Sequence, residues 1–139
     1  MFEHCLYFNT TALARAVERE WTAAYAPFGL TPPQGFVLRV VLRQPGVLNR
    51  ELADTLGIAR PTATRLVDGL IAKGLIERRP SAEDGREWNL FPTDAAQALA
   101  APLQAASAKV ARKLREHIGA EAFDETVKAI REVRTTLSD

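Results

Sequence analysis

The chain has 139 residues, 47% of them hydrophobic and 25% charged, with a formal net charge of +1. That apolar fraction is enough for a packed core and excludes global disorder, and the length suits one compact domain or one subunit of an intertwined oligomer. A charge so near neutral excludes whole-molecule attraction to a polyanion, so affinity for nucleic acid has to come from a local patch.

The first predicted element is a helix over residues 4–26. Leu6, Leu13, Val17, Trp21 and Ala24, with Phe28 just beyond, follow the 3.6-residue period. Pro27 and Gly29 end it. Thr31 is the expected N-cap of a second helix, with Pro32 at its first position. That helix runs to about Leu42, with Phe36, Val37, Val40 and Val41 on its inner face, and Gln44-Pro45-Gly46 stops it. A short third helix over 49–56 has Asn49 as its expected N-cap and is broken by Gly57. A fourth begins at Pro61, reaches about Lys73 and terminates at Gly74. Leu75 to Arg79 and Glu87 to Phe91 read as two short strands, joined through Pro80 and the turn signal Asp84-Gly85. Thr93 caps a fifth helix with the stripe Leu99, Leu103, Ala106, Val110, Leu114 and Ile118, about 37 Å long at 1.5 Å per residue. Pro102 lies inside it and is expected to bend it or split off its first turns. Gly119 separates a final helix with Phe123, Val127, Ile130 and Leu137 inward.

Residues 49–73 have the pattern of a helix-turn-helix. Leu52 and Leu56 form the inner face of its first helix, and small Ala53 allows close approach. Gly57 permits the turn, Ile58 plugs the joint, and Ala63, Leu66 and Leu70 hold the second helix down. Thr62, Thr64, Arg65, Asp68 and Gly69 then face outward. Arg65 suits bidentate bonding to guanine or pairing with phosphate, and the threonines suit phosphate or a thymine methyl. Arg60 and Pro61 stand at the helix N-terminus, which favours phosphate. The alternative is a helical hairpin used only for packing.

The hairpin that follows reads as a basic wing. Arg86, after the turn, suits insertion into a narrow A·T-rich minor groove. Its alternative is pairing with Asp84 or Glu83. Arg78 and Arg79 on the rising strand are expected to meet phosphates. From Ala59 to Arg79 five cations (Arg60, Arg65, Lys73, Arg78, Arg79) face two anions (Asp68, Glu77), an excess of three in a chain whose total is +1. On charge alone, a merely solvated face explains this equally well.

These segments resemble the MarR family of winged helix-turn-helix regulators. The resemblance rests on Leu52-Ala53-Asp54-Thr55-Leu56-Gly57-Ile58 and on Arg60 through Leu70. It continues through Lys73-Gly74-Leu75-Ile76-Glu77-Arg78-Arg79, Glu83-Asp84-Gly85-Arg86 and Leu90-Phe91-Pro92-Thr93. It implies a mainly α fold with a small β-hairpin, a winged core over 31–92, and dimerisation helices over 1–30 and 93–139. It also implies a two-fold homodimer that binds palindromic double-stranded DNA and usually represses nearby genes. The recognition helix matches 61–73 and the wing arginine matches Arg86. Two departures stand out: Ala59 replaces a hydroxyl-bearing cap, and Gly85 stands where a first wing arginine is common.

A dimer also follows from packing. The flanking helices carry apolar stripes that symmetry mates would bury, and a two-fold axis spaces two recognition helices about one DNA turn apart. The alternative is a monomer with those helices folded back on their own core. The resemblance further implies a small-molecule effector pocket between the dimer helices and the winged core. Trp21, Tyr25, Phe28 and Phe36 are candidates to line it, or else form plain core.

Other chemistry has little support. The histidines are His4 and His117. His4 with Cys5 offers part of a metal site, but neighbouring positions on one helix cannot converge on one ion alone. A third ligand would have to come from another element or subunit, so no metal is expected. No P-loop, dinucleotide fingerprint or nucleophile elbow is present, so neither an enzyme nor a cofactor is expected. Cys5, the single cysteine, allows no intrachain disulfide and fits a reducing compartment. Some relatives in the family sense peroxide through a first-helix cysteine, so Cys5, beside His4 and with Tyr7 and Tyr25 as hydrogen-bond candidates, is a redox candidate. The rival reading is a buried, inert thiol. The charged N-terminus is unlike a secretory signal and no run approaches the roughly 20 apolar residues of a membrane span. A soluble, cytoplasmic protein is expected. A winged-helix module for protein–protein assembly is the remaining alternative to DNA binding.

Overall fold

The computed structural model describes residues 1–83 and 85–138. In chain order it contains α1 (Leu6–Tyr25), a 3-10 turn (Ala26–Phe28), α2 (Pro32–Arg43), β1 (Val47–Leu48), α3 (Asn49–Leu56) and α4 (Arg60–Ala72). Then come β2 (Ile76–Pro80), β3 (Trp88–Pro92), α5 (Asp94–Ile118) and α6 (Ala120–Leu137). This is the mainly α fold with a small sheet that the sequence led us to expect. The sheet is antiparallel with order β1-β3-β2, so it has three strands where two were expected. Val47 pairs with Leu90 and Leu48 with Asn89, which ties the wing to the residue before α3.

The helix boundaries follow local chemistry. Thr31 Oγ1 accepts from the Gln34 N–H at 3.3 Å, while Gln34 Oε1 accepts from the Thr31 N–H at 3.1 Å, a reciprocal capping box. Gly57 takes φ 66°, which L residues resist, and so lets the chain turn between α3 and α4. Asn49 does not cap α3. Leu48 occupies the cap position, where its N–H donates to Glu51 Oε1 at 3.1 Å.

The core is built from Val37, Leu38 and Val41 of α2, Leu52 and Ala53 of α3, and Ala63, Val67 and Leu70 of α4. Leu75, Ile76, Leu90, Ala96 and Leu103 complete it. Each fully buried leucine removes about 1.5–3 kcal/mol worth of apolar surface from water. The expected core was incomplete on α2 and α4. Leu38 and Val67 are core, whereas Phe36 stands 36% exposed at the edge of α2. Gly35 explains how α1 and α2 meet: a Cβ there would lie 2.2 Å from Tyr25 Cε2, so the tyrosine ring occupies the space a side chain would need.

Pro102 does not split α5, which is continuous from Asp94 to Ile118. Its N-terminal half packs in the core through Ala96 and Leu103, and a polar cluster joins its middle to α1 and α2. Trp21 Nε1 donates to Ser107 Oγ at 3.0 Å, and Arg39 Nη1 donates to the same oxygen at 3.0 Å and to Tyr25 Oη at 3.3 Å. The α5–α6 corner is clipped by Arg115 Nη2 and Asp124 Oδ2 at 2.9 Å. The hydrogen bond from Arg115 holds the Asp124 carboxyl below its ordinary value.

The residues expected inward on α6 are not buried in the subunit. Phe123 is half-buried, Val127, Ile130 and Leu137 are exposed, Leu137 to 73%, as is Val133, and α6 contains no buried residue. Met1, Phe2, Leu6, Tyr7, Phe8 and Leu13 are similarly bare at the start of the chain. No described helix is long and apolar enough to cross a membrane.

Candidate nucleic-acid interface

In α4 the sequence separates two faces. Ala63, Val67 and Leu70 are at most 1% exposed and seat the helix in the core. Arg60, Pro61 and Arg65 are exposed on the other side, while Thr62 and Thr64 are half-buried at the boundary. Arg65 Nη2 donates to Thr62 Oγ1 at 3.3 Å, which draws the guanidinium back along its own helix. Ala59 occupies the cap position with no side-chain hydrogen bond, so the helix start keeps N–H groups without a side-chain acceptor.

Thr64 has a structural task. Its hydroxyl donates to the Arg60 carbonyl at 3.0 Å and accepts from Asn49 Nδ2 at 3.3 Å. Asn49 thus bonds α3 to α4 across the turn, a role its position in the sequence did not signal.

The expected cations are divided among different surroundings. Arg78 Nη1 pairs with Asp68 Oδ1 of α4 at 2.9 Å, and its guanidinium lies 5.3 Å from the Trp88 ring centroid. Arg79 pairs with Glu77 at 3.2 Å and lies 4.1 Å from the Phe91 ring centroid. Adjacent residues on a strand point to opposite faces, so Arg78 lies on the α4 side of the hairpin and Arg79 on the other. Lys73 Nζ bonds the Gly29 carbonyl in the α1–α2 connection, so it belongs to the scaffold rather than to the exposed face of α4. Arg86 is exposed at the hairpin turn. Asp84, expected in that turn and as a partner for Arg86, lies outside the described residues. Glu87, just after the turn, pairs with Arg50 of α3 at 3.8 Å.

A second feature flanks α4. A groove of about 600 Å³ is lined by Val17, Glu18 and Trp21 of α1, Pro32, Pro33 and Phe36 at the start of α2, and Leu56, Ile58, Thr62 and Leu66 of the helix-turn-helix. Of the four aromatic candidates, Trp21 and Phe36 reach it. Tyr25 is 0% exposed in the core and Phe28 packs against the core. The glutamate and the two prolines were missed, because the groove forms only where four helices converge.

Cys5 is exposed, not buried as expected for an inert thiol, and its sulfur caps α1 by accepting the Phe8 N–H at 3.5 Å. Tyr25 lies at the far end of α1, bonded to Arg39, and so offers nothing to the thiol. Among the described residues no group of three or more His, Cys, Asp or Glu side chains could hold a metal ion.

The comparisons with known proteins agree with this geometry. Residues 28–87 match the model of the MarR family. The chain is 28% identical over 82 residues to YybA, an uncharacterized HTH-type transcriptional regulator of Bacillus subtilis; the match covers 59% of this chain and 55% of YybA, little more than half that relative's length. It is similar to the transcriptional repressor CouR bound to a 23-mer DNA duplex, with 28% identity, TM-score 0.85, and 95% of this chain and 94% of that chain covered. The fold also matches the PcaV transcriptional regulator of Streptomyces coelicolor in complex with its natural ligand, with 22% identity, TM-score 0.85, and 96% and 94% covered. The chain is thus similar to the MarR family: residues 28–87 match the family's model, and the likeness in fold to solved members runs nearly end to end.

Proposed function

We propose that this chain is a homodimeric, sequence-specific DNA-binding regulator, a repressor that grips an inverted repeat and is released by a small molecule. The observation that carries the reading is the two-sidedness of α4: an apolar face locked in the core, and Arg60, Pro61 and Arg65 standing clear of it. In this reading α4 enters the major groove, with Arg65 bonding a base or a phosphate and the uncapped helix start meeting a phosphate. Thr62 and Thr64 lie at the groove wall, and Arg86 reaches the adjacent minor groove. Arg78, pointing toward α4, assists with phosphate more readily than Arg79, which faces away.

Residues 31–92 serve as the DNA-binding region, and 1–30 with 93–139 as the dimerisation region. The support for pairing is the row of bare apolar side chains on α6 and at the N-terminus, which a second copy would cover. CouR, the relative solved on duplex DNA, supports the choice of ligand. The groove supports release, because its walls belong both to α1 and to the helix-turn-helix. A molecule lodged there would bias how α4 stands relative to α1.

Selection of tight binders from random duplex DNA tests the reading. The expected product is a palindrome with half-sites about one helical turn apart and binding that falls steeply with salt. Recovery of no sequence preference at low salt would overturn it.

A further inference from the structure

The groove's chemistry narrows what can occupy it. Its lining is almost wholly apolar, and the one ionisable side chain among its described lining residues is Glu18. Unlike Glu20 nearby, whose carboxylate pairs with Lys113 at 3.1 Å, Glu18 makes no hydrogen bond or ion pair among the described residues.

Apart from the Thr62 hydroxyl, the groups that would hold an anion are missing or engaged. A helix N-terminus ordinarily offers N–H groups to an anion, and α2 begins at this groove. Its first two residues are Pro32 and Pro33, which have no N–H. The next two N–H groups are taken by Thr31: Gln34 donates to its hydroxyl and Gly35 to its carbonyl, the latter at 2.9 Å. The Trp21 N–H is taken by Ser107 Oγ at 3.0 Å, so the residue offers the groove its ring rather than its donor. Thr62 Oγ1 accepts from Arg65 and keeps its own O–H, a single neutral donor beside the groove. Arg39 lies 5.2 Å from the Phe36 ring centroid, but it is not part of the lining and its guanidinium is bonded to Tyr25 and Ser107.

We propose that this groove takes aromatic or alkyl-aromatic ammonium ions in preference to the matching carboxylates, with Glu18 as counter-ion and Trp21 and Phe36 as π surfaces. The proposal rests on the reading of the groove as an effector site. It follows from charge complementarity: an apolar slot with one free carboxylate, no cation in its lining and a lone hydroxyl donor attracts a hydrophobic cation and repels a hydrophobic anion.

The test uses three ligands of one shape: 4-butylbenzylammonium, 4-butylbenzyl alcohol and 4-butylbenzoate. Binding to the full chain is read from Trp21 fluorescence in a Trp88→Phe background, and DNA release is read separately by anisotropy of a labelled operator. The ammonium should bind about fivefold tighter than the alcohol, with the benzoate weakest. Glu18→Gln should erase the ammonium's advantage while leaving the alcohol's affinity in place, and Glu18→Lys should reverse the order. Equal or tighter binding of the benzoate to the native chain, or a preference that survives Glu18→Gln, overturns the proposal. If the ligands bind without charge preference and still release DNA, the cation assignment falls and the effector reading stands. If the ammonium binds selectively without changing DNA affinity, the effector reading falls and the selectivity stands. Failure of all three to bind removes both.

Discussion

Asn49 and Thr64 are joined across the helix-turn-helix, the asparagine amide donating to the threonine hydroxyl at 3.3 Å while that hydroxyl donates to the Arg60 carbonyl. The bond fixes the angle at which α4 leaves the turn. Asn49→Ala should lower unfolding stability by about 0.5–1.5 kcal/mol, measured as a shift in urea midpoint at constant slope. Asn49→Asp should fail to restore it, because the hydroxyl's proton is already given to Arg60 and only its acceptor side remains. Full rescue by aspartate would show that the hydrogen bond runs the other way.

Asp68 offsets a cation on the side of the wing that faces α4. Asp68→Asn should free Arg78 for a phosphate, tighten operator binding and steepen the salt dependence of the log affinity by roughly one unit. Anisotropy titrations between low and moderate salt measure both effects. An unchanged slope would mean that Arg78 stays on Trp88 and never meets the duplex.

Arg65 and Arg86 should differ in which part of the operator each one senses. Arg65→Ala is expected to cost about 1–3 kcal/mol of binding and relax the choice of base at one position per half-site. Arg86→Ala should weaken binding most where the flanks are A·T-rich. Competition between selected operators with altered centres and flanks distinguishes the two.

The bare face of α6 makes association testable without DNA. Ile130→Glu should shift sedimentation toward the monomer and, with it, abolish tight operator binding, while the helical signal of the winged core persists. A variant that stays paired would place the interface elsewhere.

At the α5–α6 corner, the Arg115 hydrogen bond depresses the Asp124 carboxyl pKa below its ordinary 3.8. A lowered folded-state pKa means that the clip is fully present above the ordinary value and is lost as pH falls through the depressed one. A carboxyl NMR titration should give a midpoint below 3.8 for Asp124, and Arg115→Gln should return it to the ordinary range.

Much of this architecture could be read from the chain because strong local signals sit at the element ends. Thr31-Pro32, Gly57, Gly74 and Thr93 each mark a boundary, and all four lie at or within two residues of an observed helix or strand end. What escaped was tertiary. A two-residue strand at Val47–Leu48 is too short to show alternation. Phe36 and Leu38 share α2, and only the position of the neighbouring helices decides which is covered. Counting charges also overstated the basic patch: Lys73 holds the α1–α2 connection and Arg79 turns to the far face of the hairpin. Those pairings span separate elements or depend on strand facing, which a linear count does not contain. Tyr25 and Trp21 lie one helical turn apart, yet Gly35 admits the first to the interior and leaves the second at the groove.

Because β3 is the middle strand, the wing is not a loose flap. Its backbone is pinned to the start of the helix-turn-helix: the Gly46 N–H donates to the Leu90 carbonyl at 2.7 Å, and Asn89 Nδ2 donates to the Gly46 carbonyl at 2.7 Å. A pull on the hairpin tip therefore acts as a lever with its fulcrum just ahead of Asn49, so a duplex tugging at one end would tilt the other.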